Sequence, residues 1–238
     1  MFPLTRRHLT LLTALAGLGL AAACGSDGNS DGGGNNGSSS VFLGILSSDD
    51  ASESGSVQLT VATASPSAPV PTSISFSAVG VNGSVKIVGG ATVTLSGNYD
   101  DATNTLTATG SGYSFTGVYD GSNRLEGTYS GPGTQGTFVT AKSDGSTTTA
   151  YCGTFAGDDQ GIWNFVVDGS AILGQAVSSL SGSSAPLDGS ISGSTISIFF
   201  PGTQQVLATG TRSGNSVSGT WDDPNSTDTG TWSGTVCQ

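Results

Sequence analysis

Few residues of this chain could take part in catalysis. The only histidine is His8, which lies in a basic N-terminal segment. Glu126 and Asp120 could form the carboxylate pair of a glycan hydrolase. Lys86 stands on the polar face of a predicted strand and Lys142 in a predicted loop, so we expect both to be solvated. Because carboxylates beside a hairpin are more often surface charges, we predict no catalytic residue, no metal and no cofactor.

Acidic residues also occur as neighbours within predicted turns. These pairs are Asp49-Asp50, Asp100-Asp101, Asp158-Asp159 and Asp222-Asp223. Asp is common in turns because its carboxylate accepts hydrogen bonds from the backbone just ahead of it. We therefore expect turn formation, with Ca²⁺ binding by converging loops as the alternative.

The first 23 residues are typical of an export signal. Two arginines precede an apolar run over residues 9–23, which is too short for a membrane-spanning helix. The run ends in Leu20-Ala-Ala-Ala-Cys24, which resembles the lipobox of bacterial lipoproteins, with Ala21 where that family more often has Leu. The resemblance implies cleavage before Cys24 and lipid attachment to Cys24. The alternative is ordinary secretory cleavage after Ala23.

Two further details bear on location. The segment Thr5-Arg6-Arg7-His8-Leu9 resembles the twin-arginine export motif, although any export signal can contain two arginines. Gly25 follows the cysteine where many inner-membrane lipoproteins have Asp, so by analogy we expect the outer membrane or the cell surface. The predicted partner is a membrane, held through the lipid.

The chain from Cys24 onward is strongly acidic. Its four basic residues stand against 17 acidic ones, so its net charge is −13. Such a surface repels phosphate backbones and anionic headgroups, which argues against nucleic-acid binding. Residues 24–40 are rich in Gly, Ser and Asn, and we predict a flexible tether there.

After the tether, apolar and polar residues alternate with a period of two, and Gly, Asp and Asn turns separate the runs. This pattern predicts an all-β protein, an antiparallel meander of short strands with one apolar face each. The clearest runs are 57–61, 74–76, 91–99, 113–119, 124–129, 163–167, 195–198 and 216–221.

A glycine followed two residues later by an aromatic residue occurs eight times, as in Gly153/Phe155 and Gly230/Trp232. Two residues apart on a strand means the same face. Glycine weakens a strand unless something uses the space. We therefore expect rings from neighbouring strands to cover these glycines and the sheet to curve or close, with a flat sandwich as the alternative.

The pattern also repeats at an offset of about 100 residues. Residues 106–131 match residues 207–234 with gaps, so we predict two similar β halves, residues 41–148 and 149–238. Whether they form one continuous barrel or two is left open by the pattern.

If Cys24 is lipidated, Cys152 and Cys237 remain as a pair in an oxidising compartment, and we predict a disulfide between them. They lie in the first and last strands of the second half. Because a disulfide requires Cα atoms within about 7 Å, those strands must be neighbours and the sheet must close. The alternation puts both sulfurs on the polar face.

Short segments, Gly161-Ile-Trp163-Asn, Leu125-Glu-Gly-Thr-Tyr129 and Thr231-Trp-Ser-Gly234, resemble strands of avidin-type and other calycin barrels. We predict a lipid-anchored, exported, non-enzymatic envelope or surface protein with a structural or interaction role. The alternative is a carrier of a small apolar ligand, and a glycan hydrolase is a third interpretation. The carrier's predicted pocket consists of Trp163, Phe165, Trp221 and Trp232.

Overall fold

A computed structural model of the protein describes residues 39–62, 79–143, 148–203 and 205–237. Every regular element in these ranges is a β-strand, as the alternating pattern predicts. Among the same residues, no helix has the length and apolar character needed to cross a membrane. The predicted strand over 74–76 lies outside the described ranges.

Sixteen strands follow one another along the chain. The first eight are β1 Ser39–Ser48, β2 Ser54–Ala62, β3 Val79–Ile87, β4 Thr92–Asp100, β5 Thr105–Gly110, β6 Tyr113–Tyr119, β7 Arg124–Gly131 and β8 Thr134–Ser143. The second eight are β9 Thr149–Gly157, β10 Gly161–Asp168, β11 Ala171–Ser178, β12 Ser184–Ser192, β13 Thr195–Phe199, β14 Val206–Ser213, β15 Ser216–Asp222 and β16 Thr229–Val236.

Each set of eight closes into its own antiparallel barrel, and this decides between one barrel and two. Each strand pairs with the next one along the chain, and the ring then closes between its first and last members. β1 pairs with β8, with Phe42 opposite Lys142, and β9 pairs with β16, with Cys152 opposite Thr235. The predicted fold class and the two similar halves are therefore confirmed.

Alternation decides what fills each barrel. Along β4, Leu95 is fully buried while Thr94 and Ser96 are exposed, because successive side chains point to opposite faces. The first interior is a cluster that includes Leu59, Phe115 and other apolar residues. The second interior is a separate cluster of aliphatic and large aromatic side chains.

The rings of the second barrel lie over glycines, as predicted. The indole of Trp163 covers Gly153 on the next strand and Gly234 on the strand beyond it, and a Cβ at either glycine would overlap the ring. Trp232 covers Gly219 and Gly210 in the same way. One inward ring thus spans the width of two strands, and a chain rich in small residues still fills its interior.

Candidate functional site

Several predicted features lie outside the described residues. They are the signal peptide over 1–23, the lipidation site Cys24 and nearly all of the tether over 24–40, of which Ser39 and Ser40 are the first residues of β1. The chain passes from the first barrel to the second between β8, which ends at Ser143, and β9, which begins at Thr149.

The predicted disulfide between Cys152 and Cys237 is present, with Cα atoms 5.7 Å apart. Both cysteines lie on the outward face of the second barrel, opposite the inward Tyr151. That face is not solvated here. The cysteines are only 6% and 9% exposed, because they pack with Ile45 and Val139 of the first barrel. The alternation gave the face correctly but could not show that a second barrel covers it.

Hydrogen bonds also join the two barrels. The side-chain amide of Asn164, fully buried on β10, donates to the carbonyl of Leu46 at 2.7 Å and to the hydroxyl of Ser47 at 2.6 Å. Thr137 and Gln175 exchange two further bonds, of 2.6 Å and 3.1 Å. Since buried polar groups are costly without partners, these bonds favour one relative position of the barrels.

Burial on both faces marks the strands at this contact. On β1 every residue from Gly44 to Ser48 is buried, and on β10 every residue from Trp163 to Val167 is buried. In the sequence, residues 41–46 are almost continuously apolar, and the alternation of the run 163–167 fails at Val166, which is apolar where a polar residue is expected. A strand buried on both faces is expected to lose its alternation, so this break was the available signal.

The carboxylates proposed for hydrolysis are engaged in local structure. Glu126 is exposed and forms an ion pair with Arg124 at 2.7 Å. Asp120 accepts hydrogen bonds from backbone N–H groups, including that of Ser122 at 2.8 Å. Partial burial acts to raise the pKa of Asp120, but these hydrogen bonds outweigh it and lower the pKa.

The acidic turns also participate in structure. Asp158 accepts a bond from the N–H of Thr229 at 2.9 Å, so the β9–β10 and β15–β16 loops do converge. Asp159 is buried and accepts a bond from the hydroxyl of Ser178 at 2.8 Å. Within the described ranges, no group of three or more His, Cys, Asp or Glu residues is placed to hold a metal ion.

The four residues of the predicted pocket come together in the second barrel. Trp163 stacks on Phe165 with ring centroids 4.7 Å apart, and Trp163 meets Trp232 edge to face at 5.2 Å. Trp221 contacts Phe155 at 6.1 Å. None of the four predicted residues is more than 8% exposed, and they belong to one buried cluster. Trp163, Phe165 and Trp232 therefore contact one another within the barrel interior, and Trp221 joins the same buried cluster through Phe155.

A cavity of about 290 Å³ lies elsewhere, at one end of the first barrel. Phe42, Val61, Tyr99 and Tyr119 form much of its wall, and all four are on the inward face of their strands. Lys142 stands at its rim, as the second-last residue of β8. The expectation that Lys142 lies in a solvated loop was therefore wrong about the loop, because β8 pairs with β1 as far as Ser143.

The aromatic residues of this end are linked to neighbouring turns. The hydroxyl of Tyr99 donates to Asn104 at 2.9 Å, and that of Tyr119 donates to the carbonyl of Ser122 at 2.6 Å. Phe42 meets Tyr119 edge to face at 5.3 Å. Burial raises the pKa of both tyrosines. The neighbouring Tyr119, Asp101 and Asp100 raise the pKa of Tyr99 further, and Asp120 does so for Tyr119.

The opposite end of the first barrel is closed by a carboxylate between two phenols. Glu53, just before β2, accepts hydrogen bonds from the hydroxyls of Tyr113 at 2.8 Å and Tyr129 at 3.0 Å. Tyr129 stacks on Phe115 at 5.5 Å. Burial, followed by the hydrogen bond and charge of Glu53, raises the pKa of Tyr113 to about 12. Burial and the same carboxylate also raise the pKa of Tyr129.

Comparison with known proteins finds no matching family model, no similar curated protein and no similar solved structure. The residues at the cavity were missed by the sequence analysis because they share no motif: Phe42 and Lys142 are 100 positions apart and meet only through barrel closure.

Proposed function

We propose that the protein is an exported, lipid-anchored component of the bacterial cell envelope that acts without catalysis, through a structural or interaction role. The lipid would be attached to Cys24 after removal of residues 1–23, and the predicted tether ahead of β1 would hold the barrels away from the membrane. The predicted location is the outer membrane or the cell surface.

The observation that carries this proposal is the pairing of cysteines. The disulfide uses Cys152 and Cys237, so Cys24 is the one cysteine of the chain outside it, and it follows directly on the apolar run. A disulfide in a small β protein favours an oxidising compartment outside the cytoplasm. The disulfide therefore supports export, and export is required if the remaining cysteine, Cys24, is to carry the lipid anchor.

The non-catalytic part of the proposal rests on how the polar groups are used. Glu126 is paired with Arg124, Asp120 caps its own turn and Glu53 joins two tyrosines at a barrel end. Each of these carboxylates has a structural explanation. Asn164 and Gln175, the most buried amides, connect the barrels. This arrangement favours a cross-linked, two-barrel body displayed on a tether.

Fractionation of cells expressing Cys24→Ser tests the anchor. We expect the variant to be exported and recovered in the soluble fraction, whereas the parent stays with membranes and incorporates labelled palmitate. Cys152→Ser is the matched control, because it also replaces one cysteine with serine, breaking the disulfide of the barrels and leaving the signal intact. If Cys24→Ser stays membrane-bound after export, the proposed anchor is wrong.

Two further variants test the route and the location. Gly25→Asp introduces the residue typical of inner-membrane retention, and we expect it to move the protein from the outer to the inner membrane. Replacing Arg6 and Arg7 with lysine tests the twin-arginine route, for which we expect loss of export. Unchanged distribution of the Gly25→Asp variant would contradict the outer-membrane assignment.

The carrier alternative is favoured by one observation, the cavity at the end of the first barrel. Its location differs from that of the predicted pocket residues Trp163, Phe165, Trp221 and Trp232, which pack together in the second barrel.

A further inference from the structure

We propose that the cavity at one end of the first barrel is a binding site for a small monocarboxylate with a single ring. The ring would occupy the cavity between Phe42, Tyr99 and Tyr119, and the carboxylate would face Lys142. This site goes beyond the proposed envelope role, and it does not depend on the lipid anchor.

The size and walls of the cavity indicate the apolar part of the ligand. Its volume of about 290 Å³ is roughly twice that of the ~150 Å³ apolar cavity known to accept benzene. Phe42, Val61, Val79 and the rings of Tyr99 and Tyr119 surround it. Aromatic walls favour a ring because offset and edge-to-face contacts are available. One substituted ring fits this space, whereas a long acyl chain or a multi-ring molecule would exceed it.

The charge at the rim indicates the polar part. Lys142 lies directly opposite Phe42 in the β1–β8 pairing, on the same inward-facing row of β8 as the buried Phe138. Its backbone N–H donates to the carbonyl of Asn123, but within the described ranges no hydrogen bond or ion pair engages its ammonium group. An ammonium held at the edge of an apolar cavity is suited to a carboxylate.

The other polar groups at this end sharpen the choice. The hydroxyl groups of Tyr99 and Tyr119 already donate their protons to Asn104 and Ser122, so they are not free to donate to a ligand. The charged donor at the cavity is the ammonium group of Lys142. Asp101, an exposed turn residue after β4, also lines the rim. It opposes an anion, and its removal should strengthen binding. Asp100 and Asp120 also act on the tyrosines of this end, so it already carries several negative charges. One cation among these acids favours a ligand with a single carboxylate over a phosphate or a dicarboxylate.

The experiment compares benzoate, benzyl alcohol and benzylamine, which carry one ring and differ in charge. Ligand-observed NMR titration of the purified protein measures each affinity. We expect saturable benzoate binding with a Kd of about 1 mM or tighter, weaker binding of benzyl alcohol and the weakest binding of benzylamine. All three tryptophans belong to the second barrel, so tryptophan fluorescence should not respond to benzoate.

Variants locate the site. Lys142→Met should weaken benzoate binding about fivefold, as expected for an exposed ion pair, and leave benzyl alcohol unchanged. Asp101→Asn should strengthen benzoate binding. Val61→Trp should fill the cavity and abolish binding of both compounds, with retention of the barrel checked by circular dichroism. Lys86→Met is the matched control, because it removes the same charge from the outer face at the other end of the barrel.

Three results would overturn the proposal. They are no saturable benzoate binding by the parent, benzoate affinity unaffected by Lys142→Met, and equal loss with Lys86→Met. A fourth result, quenching of tryptophan fluorescence by benzoate, would place the ligand in the second barrel. It would overturn the assignment of the site to the first barrel. None of these results bears on the lipid anchor, which is tested by fractionation.

Discussion

The two barrels share an architecture but differ in how their interiors are filled. Both are eight-stranded antiparallel meanders with a closing pair between first and last strands. The second contains all three tryptophans and the disulfide, and its large rings belong to one buried cluster. The first has no tryptophan, is closed at one end by Glu53 between two tyrosines and has a cavity at the other.

This difference shows that one set of residues determines the arrangement of the strands and another determines how much space is left inside the barrel. Alternation and turns are enough to close either sheet. Whether space is left inside depends on a few large side chains and on the glycines over which they lie. Trp163 spans two glycines in the second barrel, while Phe138 of the first barrel reaches over Gly117 with a smaller ring. The comparison yields four predictions.

The largest effect is expected from the disulfide. Replacing Cys152 and Cys237 with serine removes the closure of a loop of 85 residues. In the chain-entropy model this lowers the free energy of unfolding by about 4.5 kcal/mol. Denaturant unfolding followed by tryptophan fluorescence reports on the second barrel directly. Cys24→Ser is the control and should leave the midpoint unchanged. A loss below about 1 kcal/mol would contradict a major contribution of the cross-link.

The second largest effect on stability is expected from Trp163, whose ring covers two glycines. Trp163→Ala should lower the free energy of unfolding by about 4 kcal/mol, because it leaves a void over Gly153 and Gly234. Phe138→Ala should have a smaller effect in the first barrel. Leu180→Ala is the control, since this side chain is 65% exposed. Equal stability of the Trp163→Ala variant and the parent would show that the second interior does not depend on ring filling.

A smaller effect is expected at the contact between the barrels. Asn164→Ala leaves the buried Ser47 hydroxyl and the Leu46 carbonyl without this donor, which should cost about 2 kcal/mol. Unfolding of the two barrels should also become less concerted, seen as separate transitions by tyrosine and tryptophan probes. Asn98→Ala, at an exposed position on the outer face of β4, is the control. A single unchanged transition would argue that the amide does not couple the barrels.

The smallest expected effect is a loss of stability at alkaline pH, which does not arise at neutral pH. It is confined to the first barrel and depends on Tyr113 and Tyr129. Their folded pKa values lie above the ordinary value of 10.0, so folding favours the neutral phenols. The resulting stability is fully present below pH 10 and is lost as the pH rises from about 10 toward the Tyr113 value of about 12. Circular dichroism unfolding curves from pH 8 to 12 measure it.

Variants at Glu53 and at the two tyrosines test whether these phenols cause the alkaline loss of stability. Glu53→Gln removes the negative charge beside the phenols and should make the alkaline loss less steep. Replacement of both tyrosines with phenylalanine should remove most of it. If the double variant loses stability over the same pH range as the parent, other groups carry the alkaline transition.

Much of the fold could be predicted from the sequence because a strand with one buried face has an apolar residue at every second position. The run 113–119 coincides with β6, and 124–129 lies within β7. Closure of the second half followed from two cysteines that must be neighbours. The first half has no such covalent marker, so nothing in its pattern distinguished a separate barrel from part of a larger one.

The candidate site could not be predicted in the same way. Phe42, Tyr99 and Lys142 line one cavity only because the meander closes between β1 and β8 and brings the ends of β1, β4 and β8 to the same opening. Alternation gives the face of a side chain but neither its height in the barrel nor the space left beside it. The buried contact between barrels was missed for a related reason, since a polar-looking face can be covered by another part of the chain, as at Cys152.

The closing pairs β1–β8 and β9–β16 also have a consequence for assembly. A sheet that ends in a free strand exposes a row of unpaired N–H and C=O groups, onto which another copy can add. Among the strands that the structure describes, neither barrel has such an end. Many copies could therefore stand side by side at high local density without polymerising strand to strand. Association would have to use side chains, and on the outer faces these are largely threonine and serine.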